Sequence, residues 1–154
     1  MGPITVGESY QALRGVSFVL AVTVVAEIGD MNRFQNPKQL MAYLGLIPSE
    51  HSSGKSIRRG SITKTGNGHV RRVLVQAAWT YRMPARVSTV LLKRQQGLPK
   101  SICDICWKAQ TRLCARYRRL IAKGKSKQTV VTAIARELGA FLWAVDRQLQ
   151  GTVA

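Results

Sequence analysis

Apolar residues in this chain recur at helical spacing almost throughout, and nowhere do they alternate cleanly enough to predict a strand. Residues 1–8, MGPITVGE, carry no periodicity and read as a weakly structured leader ahead of a domain spanning 9–150. From Ser9, Tyr10 and Leu13 predict a short helix reaching Gly15. Phe18, Leu20, Val22, Val25 and Ile28 then belong to a helix that is apolar nearly all round, a pattern expected of a buried helix. Gly29 stops it. Asn36-Pro37-Lys38-Gln39 opens the next helix with an N-cap Asn, Pro at the first helical position and a Gln to complete the cap. Leu40, Tyr43 and Leu44 line that helix, which ends near Gly45. Two short helices joined by a glycine turn resemble a helix–hairpin–helix, which grips DNA through its amides; a plain helix pair packed on the core fits equally.

Further along, Val70, Val73, Leu74, Ala77, Ala78 and Tyr81 predict a helix over 67–83, closed by Pro84. Val87, Val90 and Leu91 suggest a shorter helix ended by Gly97 and Pro99. A long amphipathic helix follows over 99–123, burying Ile102, Ile105, Cys106, Leu113, Tyr117, Leu120 and Ile121. Ser126 can cap the last helix, whose stripe is Val130, Ile134, Leu138, Phe141, Leu142 and Val145. The expected fold is all-α, a compact multi-helix domain of about five to seven helices with a helix–hairpin–helix-like N-terminal part and a long basic loop.

That loop, Pro48–Lys64 (PSEHSSGKSIRRGSITK), breaks the helical pattern and exceeds the roughly 2–8 residues usual between packed helices. It carries Ser49, Ser52, Ser53, Ser56, Ser61 and Thr63 among Lys55, Arg58, Arg59 and Lys64, with Gly54 and Gly60 between them. Hydroxyls among cations beside glycines suit phosphate handling, although a solvated linker has the same polarity.

Charge tilts the balance. Lys and Arg number 24 against 7 Asp and Glu, giving +17 and a pI near 11.0. Self-repulsion of that size asks for a polyanion, of which nucleic acid is the first choice and an anionic membrane surface the second. The basic residues do not flank one surface-lying helix, and the apolar run Val16–Ile28 is shorter than the roughly 20 residues that cross a bilayer, so no membrane partner is expected. Lys108, Arg112, Arg116 and Arg119 recur at three- and four-residue spacing, with Arg118 and Lys123 alongside and Asp104 the one acid of that helix. This face is expected to contact DNA or RNA. Arg71 and Arg72 stand in a first turn, where the helix dipole disfavours cations but favours a bound phosphate, and are candidate DNA-backbone contacts.

Candidate chemistry is narrow. The acids Glu8, Glu27, Asp30, Glu50, Asp104, Glu137 and Asp146 are scattered, so a Mg²⁺-holding carboxylate cluster is not expected on this chain. Cys103-x-x-Cys106 lacks a second pair for zinc and reads as helix packing, with Cys114 apart from both. Three cysteines without an export signal indicate reduced thiols and a cytoplasmic setting. A serine attacking phosphorus needs a hydroxyl, a proton acceptor and positive charge. The loop offers Ser52 or Ser53, His51 or Glu50, and its four cations. His69, just beyond it, could contact phosphate or simply face solvent.

The ordered motifs AEIGD with RF, L-x-x-YLGL-x-PSE-x-SSG, G-x-ITK-x-GN and R-x-L-x-x-AAW, with RLCARYRRL and AIARELGAFLW in the tail, closely resemble the C-terminal domain of bacterial transposases of insertion-sequence family 110 (the 110/116/902 group). The resemblance runs from about Leu13 to Val145. It implies a recombinase that moves an insertion sequence, acts on DNA as a homo-oligomer near the nucleoid, and in some members is guided by a structured RNA. It implies a serine nucleophile at Ser53, with Ser52 the adjacent alternative, forming a phosphoserine link to DNA. Lys55, Arg58, Arg59 and Lys64 would then be phosphate contacts. The family's Mg²⁺ belongs to an N-terminal RuvC-like domain that these residues do not include, so this chain is expected to hold no cofactor and to be inactive alone.

Overall fold

The computed structural model describes residues 4–46 and 68–153. Among them there is no strand; seven α-helices and two short 3₁₀ turns run in the order α1 Val6–Tyr10, α2 Phe18–Ile28, a turn at Met31–Arg33, α3 Pro37–Tyr43, α4 Gly68–Ala78, a turn at Trp79–Arg82, α5 Thr89–Gln95, α6 Lys100–Ala122 and α7 Lys127–Val153. The all-α expectation holds. Among the described residues no helix is long and apolar enough to cross a membrane.

Helix α7, with 27 residues and a length of about 40 Å, is the axis of the fold. Its buried residues Val130, Val131, Ile134, Ala135, Leu138, Leu142, Val145 and Leu149 point to more than one side. That width lets α1, α3, α4 and α6 all pack on it. The connection from α6 is short: the positive φ of Gly124 turns the chain, and Ser126 Oγ accepts from the Thr129 amide at 3.2 Å to start α7. Helices joined so tightly lie side by side, and α6 and α7 make the largest helix–helix contact.

The N-terminal part departs from expectation in two places. Thr5 and Glu8 form a capping box, Thr5 Oγ1 accepting from the Glu8 amide at 3.1 Å while Glu8 Oε1 accepts from the Thr5 amide at 3.3 Å. α1 therefore begins inside the stretch read as a leader; a five-residue helix is too short to show periodicity. The second departure is α2, expected to be buried all round. Leu20, Ala21, Val24 and Ile28 face α1 and α4, but Phe18 and Val19 are 66% exposed, and Val22 and Val25 are also exposed. No described element covers that side.

α2 and α3 do not pack as a hairpin. α2 lies on α1 and α4, whereas α3 lies on α7. Between them, Asp30 Oδ1 accepts from the Asn32 amide at 2.9 Å and starts the 3₁₀ turn. The Phe34 carbonyl accepts from Trp143 Nε1 at 3.1 Å and Arg147 Nη2 at 3.3 Å, tying this turn to α7. Arg33 stacks over Phe34 and Tyr43, with its guanidinium carbon 4.9 and 4.6 Å from the ring centroids. The Asp30 and Arg33-Phe34 motif residues thus hold the fold.

Candidate nucleic-acid interface

Ser52, Ser53, Lys55, Arg58, Arg59 and Lys64, with His51, lie outside the described residues. On one side the chain reaches Leu46, which is fully buried; on the other it resumes at Gly68 in the first turn of α4. Arg71 Nη1 donates to the Leu44 carbonyl at 2.9 Å, at the C-terminal cap of α3. The negative end of α3 thereby accounts for a cation in the otherwise unfavourable first turn of α4. Arg71, expected as a DNA contact, has a structural partner; Arg72 is exposed. His69 Nδ1 sits 3.4 Å from Glu27 Oε1, both side chains being substantially exposed. The ends of α2 and α3 and the start of α4 therefore meet where the described chain leaves and resumes.

The basic face of α6 divides in two. Arg112 Nε donates to Glu137 Oε1 at 2.7 Å, and Arg116 Nε lies 2.5 Å from Glu137 Oε2. Glu137, on α7, is only 14% exposed in its side chain and holds one guanidinium at each oxygen. This acid was invisible to a reading of α6 alone, which counted only Asp104; Asp104 itself pairs with Lys100 at 3.0 Å. Arg112 and Arg116 line an open groove of about 450 Å³ between α6 and α7, together with Arg136, Phe141 and, from α3, Met41. Arg119, exposed, does not line it, and Lys108, Arg118 and Lys123 are exposed as well. Arg136 was missed because the apolar stripe of α7 drew attention from its polar edge.

A second arginine, Arg14, went unremarked in the sequence. Arg14 Nη1 donates to the Pro84 carbonyl at 2.7 Å and to Gln110 Oε1 at 2.9 Å. Its Nη2 donates to the carbonyls of Thr80 at 2.6 Å and Met83 at 3.0 Å, and approaches Cys114 Sγ at 3.3 Å. The guanidinium also lies 4.9 Å from the Tyr81 ring centroid, while the Tyr81 hydroxyl donates to the Arg14 carbonyl. Gln110, buried, accepts a second bond from the Arg86 amide at 2.7 Å. One cation thus caps the chain where α4 ends and turns toward α5.

The thiols are packing groups. Burial pushes the Cys106 thiol up to about 12, and burial followed by the Asp104 charge also raises Cys103. Such thiols are poor nucleophiles at neutral pH. Cys114 donates to the Met83 carbonyl at 3.1 Å. Among the described residues no three His, Cys, Asp or Glu side chains come together to hold a metal ion.

The described residues form an all-helical domain with an arginine-lined groove between α6 and α7, in a chain of net charge +17, which still leaves the class of protein broad. Comparison with known proteins narrows it. Residues 9–89, just over half of the chain, match the profile described as Transposase IS116/IS110/IS902 family. The chain is 51% identical over 144 residues to a putative transposase, y4qE, of Sinorhizobium fredii, covering 94% of this chain and 37% of that protein. It is 38% identical over 68 residues to the transposase for insertion sequence element IS1111A of Coxiella burnetii, covering 44% and 19% respectively. Against a pilin gene-inverting protein of Moraxella bovis it is 32% identical over 126 residues, 81% of this chain and 32% of that protein. The chain belongs to the IS116/IS110/IS902 transposase family. It spans little more than a third of the length of these relatives at most.

Proposed function

We propose that this chain is the serine-bearing domain of an insertion-sequence transposase, binding DNA and supplying the nucleophile for strand cleavage and exchange. The observation that carries this reading is the family match over 9–89, which encloses the whole Pro48–Lys64 segment. In the proposed step the Ser53 hydroxyl attacks a DNA phosphorus. Its proton passes to a nearby base, an O–P bond forms, and one strand oxygen departs to leave a phosphoserine ester. Lys55, Arg58, Arg59 and Lys64 neutralise the charge that builds on the phosphoryl oxygens. Carboxylates for Mg²⁺ come, in this reading, from an RuvC-like domain outside these 154 residues. The isolated chain then binds DNA without cleaving it. The working protein is a homo-oligomer on DNA in the cytoplasm, with a structured guide RNA as a further partner.

The test is a denaturing-gel assay for a protein–DNA adduct, with the RuvC-like half supplied separately. Ser53→Ala should abolish the adduct while Ser52→Ala retains it; an undiminished adduct from Ser53→Ala contradicts the assignment. The arginine groove favours a second reading, a non-catalytic nucleic-acid-binding module, which forms no adduct under any of these conditions.

A further inference from the structure

We propose that the groove between α6 and α7 receives one unstacked nucleotide of a single strand, its phosphate on the arginines and its base against Phe141 and Met41. The inference rests on the reading above only in taking nucleic acid as the ligand. Arg112, Arg116 and Arg136 bring three positive charges to one open groove, against the single negative charge of Glu137. Glu137 accepts a hydrogen bond from Arg112 Nε and forms an ion pair with Arg116 through its other oxygen. The terminal nitrogens of those two guanidiniums make no other hydrogen bond among the described residues, so they remain as donors for an anion. Because Glu137 fixes both arginines in place, little side-chain entropy is lost when the anion arrives.

The groove is more than a charged patch. Phe141 and Met41 are half-buried, so each keeps apolar surface open to the groove. A phosphate alone has no use for that surface. The bases of a duplex are stacked inside it and cannot reach a groove of about 450 Å³, whereas an unpaired base can. A positive groove with an aromatic platform is the arrangement by which single strands are held without reading sequence. DNA and RNA share this chemistry.

The experiment uses the full chain and fluorescein-labelled oligonucleotides of about twelve nucleotides, thymidine DNA, uridine RNA and a DNA duplex, followed by fluorescence polarisation across a salt series. Phe141→Ala should weaken single-strand binding by about 5- to 150-fold and leave duplex binding within about twofold. Phe141→Leu keeps apolar packing against the core while removing the aromatic face; a folded Phe141→Leu protein should show the same selective loss. Arg136→Ala should lower the single-strand salt slope by about 0.7. A selective loss confined to DNA or to RNA supports the proposal and identifies the strand. Equal loss on duplex and single strand, or no loss in either Phe141 variant, overturns it. Wild-type protein that binds duplex but no single strand also overturns it and leaves the DNA-binding reading standing; binding to neither overturns both. The Ser53 adduct assay is independent of all these outcomes.

Discussion

Two arginine sites in this protein look alike in composition and differ in what their donors face. Arg14 spends its Nη donors on three carbonyls of its own chain, the Gln110 side chain and the Cys114 sulfur. Arg112 spends only its Nε, and Arg116 only an ion-pair contact, on one shared carboxylate. A cation whose terminal nitrogens are both engaged by its own chain holds the fold together. One with donors left over, lining a groove with a third arginine, is poised for an anion. The distinction lies in the acceptors, which come from distant parts of the chain.

The comparison can be broken by mutation, and the largest effect should fall at Arg14. Arg14→Met should cost about 3–4 kcal/mol in urea unfolding, because the Thr80, Met83 and Pro84 carbonyls and Gln110 all lose their charged donor. A cost below about 1 kcal/mol would place Arg14 with the groove residues instead. Its neighbour Gly15 comes next. With φ of +92°, an added Cβ would sit 2.7 Å from the Ala77 carbonyl oxygen and 2.8 Å from Thr80 Cγ2. Gly15→Ala should therefore lose about 2–4 kcal/mol by strain and overpacking, read as a lowered melting temperature.

Groove substitutions should behave oppositely. Arg112, 57% exposed in its side chain, should cost no more than about 1 kcal/mol on replacement by Ala. The same change should reduce the salt dependence of single-strand binding by about 0.7 in slope. A full loss of folding in Arg112→Ala would erase the contrast between the two sites.

The smallest effect is one of pH. Asp146 is buried, and burial raises its carboxyl above the usual range, with Asp30 raising it further while Gln150, Arg147 and Tyr10 oppose the shift. A raised folded value means the native state binds the proton more tightly than the unfolded chain. Its stabilising contribution is present below the unfolded carboxyl value and lost as pH rises through the folded one. The stability of wild type minus that of Asp146→Asn should therefore fall across the carboxylate range and level off above it. A difference that rises with pH would contradict the assignment.

Helix existence was legible because α4, α6 and α7 repeat their apolar residues over many turns. The exposure of Phe18, Val19, Val22 and Val25 was not, since periodicity shows how apolar a helix is and not how many neighbours cover it. The capping box at Thr5 and Glu8 escaped notice because α1 is shorter than two turns. At the candidate site, Arg112 and Arg116 were visible as a spaced row, but their partner Glu137 lies 25 and 21 residues away on another helix. Arg71 looked like an anion contact because its acceptor, the Leu44 carbonyl, is a backbone group 27 residues earlier. Local residue types can nominate a site. Only the fold reveals which charges are already satisfied.

The proposal of Ser53 as the nucleophile is tested most directly by locating the covalent bond itself. The adduct formed by the wild-type chain with its RuvC-like half can be digested with nuclease and trypsin, and the peptide Gln39–Lys55 sequenced by mass spectrometry. A phosphodeoxynucleotide remnant on Ser53 is the expected result. The same remnant on Ser52, on Ser49 or on any residue outside this peptide would contradict it.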